Sequence, residues 1–347
     1  MAAPLKSVLL IAKNANLLKN NIALSCFARH MTCRSKEFQS AHTSETLSEK
    51  DPFPIFSDKK VQDLLYRITG FDLLKAAGPQ KKPIQAPSYK LLTDEELQKE
   101  LHDARMKLKA RLQMPPYMNP RKRNITPLSI DPDLANFDSS NYVFVDISFG
   151  VKDRKRNVLI RETDGTLRIA PWDVKERMNQ IFNPREGRHY IKPKIFEEQR
   201  LEKLIVEKRF VYILDRACCQ FEPDDPDFVR TTHRVYNAIN NNQEYDILRS
   251  TRHFGSLAFY LAWNHIIDNL LLDMINRDLL SDAVDLINLH CIIHQSSPCS
   301  QAISQLESPD KVAIIQTYIK TEATIKPQLE LSLQAFQDAS KNKRKTN

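Results

Sequence analysis

Glycine is scarce in this chain, with six in 347 residues, about a quarter of the usual ~7%. No two glycines lie closer than eight positions. That spacing excludes the G-x-G-x-x-G fingerprint, the Walker A loop and the G-x-S-x-G nucleophile elbow, all of which need glycines within five residues of each other. A glycine-poor chain makes few phosphate cradles and suits a helical scaffold. Long apolar runs are also missing: none reaches the roughly 18 residues of a membrane span. The nearest approach, HFGSLAFYLAWNHII, lies between Arg252 and Asp268 and carries His253, Asn264 and His265, so it reads as a buried core helix. Six cysteines form no C-x-x-C pair, which excludes the common zinc and redox spacings and gives no disulfide framework. Adjacent Cys218 and Cys219 read as small core residues.

Acidic residues are absent from the first 36 positions, which carry Lys6, Lys13, Lys19, Arg29, Arg34 and Lys36. The whole chain has a formal charge of +8; without this segment 45 basic residues face 43 acidic ones. Apolar clusters (VLLIA, NLL, IALSCFA) between the basic residues predict an amphipathic, acid-free leader of the mitochondrial kind. Its end falls between Arg29 and Ser40, and it implies the matrix as destination.

The remainder divides by texture into 37–118, a linker with peripheral helices; 119–194, a basic β-hairpin region; 195–339, an acidic helical domain; and 340–347, a basic tail. The expected fold class is α+β: a small antiparallel hairpin or meander followed by stacked helices, with an extended N-terminal arm. Within 37–118, Ser57 is placed to cap a helix carrying Val61, Leu64, Leu65 and Ile68, with Gly70 past its end. Thr93-Asp94-Glu95-Glu96 reads as a capping box opening a charged helix to about Gln113. Its thin stripe of Leu97, Leu101, Leu108 and Leu112 suits a surface or a partner more than a core. In 119–194, Val143, Val145, Ile147 and Phe149 alternate as one buried strand face, and Asp164-Gly165 suits a two-residue hairpin turn with φ > 0 at both positions. Pro171 starts a helix. Further on, Asp225 or Asp227 caps a helix, Ser250 or Thr251 caps another, and Arg249 and Arg252 pair with acids of a neighbouring helix.

Charge sorts with this division. Residues 119–194 hold 15 basic and 10 acidic side chains, whereas 195–320 hold 12 and 18. The middle region attracts polyanions and the helical half repels them. Four basic loops carry the candidate RNA-phosphate contacts: Arg121, Lys122 and Arg123; Lys152, Arg154, Lys155 and Arg156; Arg185 and Arg188; Lys192 and Lys194. Such clusters position a protein on a nucleic-acid backbone without reading its sequence. Tyr190 is the best stacking aromatic. A solvated surface is the bland alternative. His290 and His294, four residues apart on one helix face with Cys291 beside them and Cys299 beyond, form a weak zinc candidate; the default is helix-end histidines with no metal or cofactor. The acidic run Glu222 to Asp227 lacks the glycine and glutamate of a calcium loop and reads as helix capping. No catalytic constellation and no small-molecule site emerges.

YVFVDISF, IRETDGTLRIAPW, FNPREGR, QFEPDD and YDILRSTRHFG occur in that order. Together they resemble the mitochondrion-specific family of small-subunit ribosomal proteins numbered twenty-two, from about Val61 to about Ala339. The resemblance implies a matrix protein on the periphery of the mitochondrial small ribosomal subunit, touching other ribosomal proteins and ribosomal RNA, with no enzymatic activity. It supplies no residue-by-residue contacts. The rival readings are a free matrix adaptor or RNA-processing factor, and a metal-dependent hydrolase built on the His/Cys cluster.

Overall fold

A computed structural model describes residues 9–12, 51–72, 75, 89–123, 125–305 and 310–346. The rest of the expected leader, with Cys26 and Cys33, lies outside the described residues. The chain divides into two compact units, one of residues 1–50 and 122–193 and the other of 51–121 and 194–347.

The first unit is an antiparallel sheet of strands β1 (Leu9–Ala12), β2 (Pro127–Ile130), β3 (Tyr142–Asp146), β4 (Val158–Arg161) and β5 (Thr166–Ile169), in the order β1-β3-β4-β5-β2. β1 belongs to the expected leader, so cleavage between Arg29 and Ser40 would leave β3 as an edge. Cross-strand pairs Val143 with Ile160 and Val145 with Val158 fix the register. They place one apolar face inward. Helix α4 (Trp172–Phe182) covers that face with Val174, Met178 and Phe182, spaced four apart along one side. β2 is exposed at every position and begins at Pro127, as an edge strand permits.

Two expectations for this unit are corrected. β3 ends at Asp146, leaving Ile147 and Phe149 exposed and outside the core. The β4–β5 turn also has three residues. The Gly165 N–H donates to the Glu162 carbonyl (3.1 Å) and the Glu162 N–H to the Thr166 carbonyl (2.9 Å). Gly165 is left-handed at φ +85° and Asp164 is not. Asp164 instead accepts from the Thr166 N–H at 2.9 Å. A left-handed glycine closing a three-residue loop matches the sheet twist as well as the mirror-image turn does.

The second unit comprises α1 (Phe53–Ser57), α2 (Lys59–Thr69), α3 (Asp94–Arg111), α5 (Glu198–Val206), α6 (Phe210–Gln220), α7 (Pro226–Asn242), α8 (Phe254–Trp263), α9 (Asp268–Asn276), α10 (Leu280–Ile293), α11 (Pro298–Ser304), α12 (Lys311–Thr321) and α13 (Lys326–Thr346). None is long and apolar enough to cross a membrane, among the described residues. α8 is the expected core helix, buried along its whole length. It is flanked by α2, α7 and α10. Each buried Leu or Phe there contributes roughly 1.5–3 kcal/mol of transfer free energy. The expected stripe of α2 is part of this core: Val61, Leu65 and Ile68 are fully buried. Asp58, not Ser57, stands at the N-cap of α2, and Gly70 ends it at φ +73°.

The capping box at Thr93 forms: the Glu96 N–H donates to the Thr93 hydroxyl and the Thr93 N–H to the Glu96 carboxylate. α3 itself buries nothing, and Leu97, Leu101 and Met106 are exposed. Asp225 caps α7 through the Asp227 N–H at 2.8 Å. Arg249 pairs with Asp273 (3.2 Å) and Asp282 (3.6 Å), and Arg252 with Asp215 (2.5 Å). His253 takes the N-cap position of α8. Ser250, at φ +63°, donates its N–H to the Thr69 carbonyl and accepts the Asp72 N–H on its hydroxyl. It therefore joins α2 to the loop before α8 and caps no helix. Cys219 is exposed, contrary to its expected core place.

After α3 the proline-rich segment runs extended and clamps α8. The Ser256 hydroxyl donates to the Pro115 carbonyl at 2.7 Å. Tyr117 packs among His233, Phe259, Tyr260 and Trp263. Burial raises the Tyr117 hydroxyl to about 12 and pushes the His233 imidazole down to about 4. The unfolded chain therefore binds a proton at His233 between about pH 6.5 and 4, and the folded one does not. Stability from this group is expected to fall as pH drops through that window, by on the order of 1 kcal/mol per unit. Urea titrations at pH 7 and pH 5 check it: the difference should shrink in His233→Gln.

Candidate nucleic-acid interface

The loop from β3 to β4 holds the densest run of cations. Asp146 accepts the Ser148 N–H at 2.9 Å, and hydrogen bonds from Ser148 hold its carboxyl below the usual range. Arg156 lies beneath the loop, 6% exposed, and donates to the carbonyls of Ser148 (2.8 Å) and Asp146 (3.2 Å). Its Nε is 3.5 Å from Asp153. Arg156 thus braces the loop from within.

Asp153 also ties this loop to the next. Its second oxygen pairs with the Arg185 guanidinium at 3.0 Å, and its carbonyl accepts the Asn179 amide of α4 at 3.1 Å. Gln180 of α4 then holds the 185–188 loop, donating to the carbonyls of Arg185 and Arg188 and accepting the Arg185 N–H. Two basic loops read separately in the sequence therefore sit together at the C-terminal end of α4. Lys152 and Lys155 are exposed and have no ion pair among the described residues. Lys192 and Tyr190 are exposed on the continuing chain.

The other candidates are placed elsewhere. Arg123 pairs with Asp173 at the first turn of α4, 3.3 Å away. That is the opposite end of an 11-residue helix, about 16 Å long. Lys122 is exposed. Arg121 belongs to the helical unit, where its guanidinium is 3.5 Å from Asp224 and its N–H donates to the Asp224 carbonyl. Lys194 is exposed at the start of that unit's second segment. Within the hairpin unit, Arg123 and the paired 152–156 and 185–188 loops are therefore not one patch.

Phe149 escaped the reading as an interface residue. Alternation assigned it to the buried face, yet it stands fully exposed beside Gly150, which is at φ +81°. The glycine two residues before the basic run was the available signal that the strand had ended. An aromatic ring beside Lys152 is suited to stacking on a base.

His290 and His294 lie together near the end of α10, with ring centroids 4.7 Å apart. Cys299, the third member of that expected set, is buried in α11 and donates its backbone N–H to Glu322. The nearer third group is His265, from the turn after α8. Burial lowers all three imidazoles, His290 to about 3 and His294 to about 4, so they are neutral at pH 7.

A family model described as mitochondrial 28S ribosomal protein S22 matches residues 54–295. A Bos taurus protein named small ribosomal subunit protein mS22 is 38% identical over 296 residues, covering 85% of this chain and 82% of that one. The Mus musculus protein of the same name is 37% identical over 295 residues, with the same shares covered. The match includes the whole hairpin segment 122–193 and the helical unit through α10, so this chain belongs to the mitochondrial 28S ribosomal protein S22 family.

Proposed function

We propose that this chain, mitochondrial and non-catalytic as a member of that family, is a structural component of the mitochondrial small ribosomal subunit. The family match along 242 residues carries this reading. Its contacts divide between the two units. Lys152, Lys155 and the neighbouring Arg154, Arg185, Arg188 and Lys192 rest on phosphates of the small-subunit ribosomal RNA, with Phe149 stacking nearby. Lys122, Arg123 and Lys194 make secondary backbone contacts. The acidic helical unit, which repels RNA, docks other ribosomal proteins. The exposed Leu97, Leu101 and Met106 of α3 are suited to such a partner, since each would gain burial there.

The brace beneath the loop supports the RNA assignment. A buried Arg156 and a shared Asp153 hold the backbone rigid while the lysines stay solvated. Phosphate binding then has little backbone left to order. Lys152→Glu with Lys155→Glu is expected to leave the melting transition within about 0.5 kcal/mol of the parent, because neither side chain contacts the fold. Crosslinking of the loop to RNA should fall several-fold and incorporation into subunits should drop. Unchanged crosslinking and incorporation would remove this loop from the interface.

A further inference from the structure

We propose that His265, His290 and His294 form a zinc site that links the turn after α8 to the end of α10. Ring nitrogens of all three lie within 4.8 Å of one another. His290 Nε2 is 3.2 Å from His265 Nδ1. Two nitrogens bound at 2.0–2.1 Å to one tetrahedral zinc lie about 3.3 Å apart.

The surrounding hydrogen bonds settle which ring nitrogens keep their lone pairs. His294 Nε2 is 2.9 Å from the Ala262 carbonyl. A carbonyl only accepts, so Nε2 carries the proton and Nδ1 keeps the lone pair. Glu322 receives the Cys299 N–H on one oxygen and presents the other to His290 Nδ1 at 3.4 Å. A proton on Nδ1 suits that carboxylate and leaves the lone pair on Nε2, facing His265. This is the arrangement in which metal-bound histidines give their second nitrogen to a carboxylate or a carbonyl. His290 is 1% exposed, so Glu322 is the group on the page that its Nδ1 faces.

His265 is the adjustable member. It is exposed and sits at φ +56°, a left-handed backbone unusual outside glycine. Its ring lies stacked on His294 with centroids 3.6 Å apart. Coordination requires that ring to turn about its Cβ–Cγ bond so that Nδ1 points at the other two. The exposed side supplies a water as fourth ligand. Three imidazoles match zinc's preference for nitrogen donors, and their role here is to tie α8, α10 and, through Glu322, the loop before α13.

The test uses the full chain, stripped with chelator and titrated with zinc chloride against a chromophoric chelator. One zinc per chain and a raised melting temperature are expected. His265→Asn removes an exposed ligand and keeps a residue that tolerates the left-handed backbone. It should preserve the fold by circular dichroism, weaken zinc binding about 10-fold or more, and abolish the zinc-dependent rise in melting temperature. His290→Gln, compared with the parent in the metal-free melt, should do the same. Failure to hold zinc against the chelator would overturn the site, as would zinc binding that survives His265→Asn unchanged.

Discussion

Asp268→Ala is expected to lower the stability of the helical unit by about 3–5 kcal/mol, the largest single-residue effect foreseen for this fold. Asp268 opens α9 and is buried. Its carboxylate accepts the Tyr318 hydroxyl at 2.6 Å, the Thr324 N–H at 2.7 Å, the Thr324 hydroxyl at 2.5 Å and the Ile325 N–H at 3.3 Å. Four donors from α12 and the loop before α13 thus converge on one side chain. Alanine leaves them without an acceptor, and each buried orphan costs about 1–3 kcal/mol, though not additively. Asp268→Asn is milder, because one oxygen still accepts while the amide faces donors. Urea unfolding measures the difference. A loss under about 1 kcal/mol would mean that water satisfies these donors and that α12 and α13 are less firmly joined to α9 than the geometry implies.

Gly165→Ala should cost about 2–4 kcal/mol, confined to the hairpin unit. A Cβ at this position would stand 2.1 Å from the Asp131 carbonyl oxygen. That contact is with backbone, so the loop before β3 must move. The left-handed φ of +85° adds about 1 kcal/mol or more for any L side chain. Hydrogen exchange on the full chain separates the two units. Protection should fall across 125–182 and stay at parent level in α8 and α10. Incorporation into the ribosomal subunit should fall too, because β4 carries one end of the basic loop. Uniform loss of protection in both units would contradict the assignment of Gly165 to an independently stabilised sheet.

Much of this fold was legible because its signals are local. The capping box at Thr93, the Asp225 cap, the stripe of Val61, Leu64, Leu65 and Ile68, and the all-apolar run of α8 depend on neighbours within a few residues. Fold class and the basic–acidic division followed from them. The misreadings arose where distant residues decide. Period-two alternation continues through Phe149, but Arg156, ten residues beyond Asp146, bonds to the turning backbone and ends the strand. Where α2 packs was not legible, because its partners α8 and α10 are some two hundred positions away. Arg156 and Lys155 are adjacent and equally charged, yet one is buried and one is solvated, a difference no composition contains. His265 could not be joined to His290 and His294 by spacing, since α9 and the turns on either side of it separate them. The ribosomal assignment itself came from long idiosyncratic strings, and the candidate RNA loop from charge, with geometry then separating the braced cations from the presented ones.

Sedimentation of the endogenous protein from lysed mitochondria, on sucrose gradients with ribonuclease-treated and high-salt controls, tests the central claim most directly. A structural component should comigrate with the small subunit and the full ribosome, leave little free pool, and be released more readily after ribonuclease than by salt alone. A protein found mainly at the top of the gradient would contradict the account and favour a free matrix adaptor that visits ribosomes.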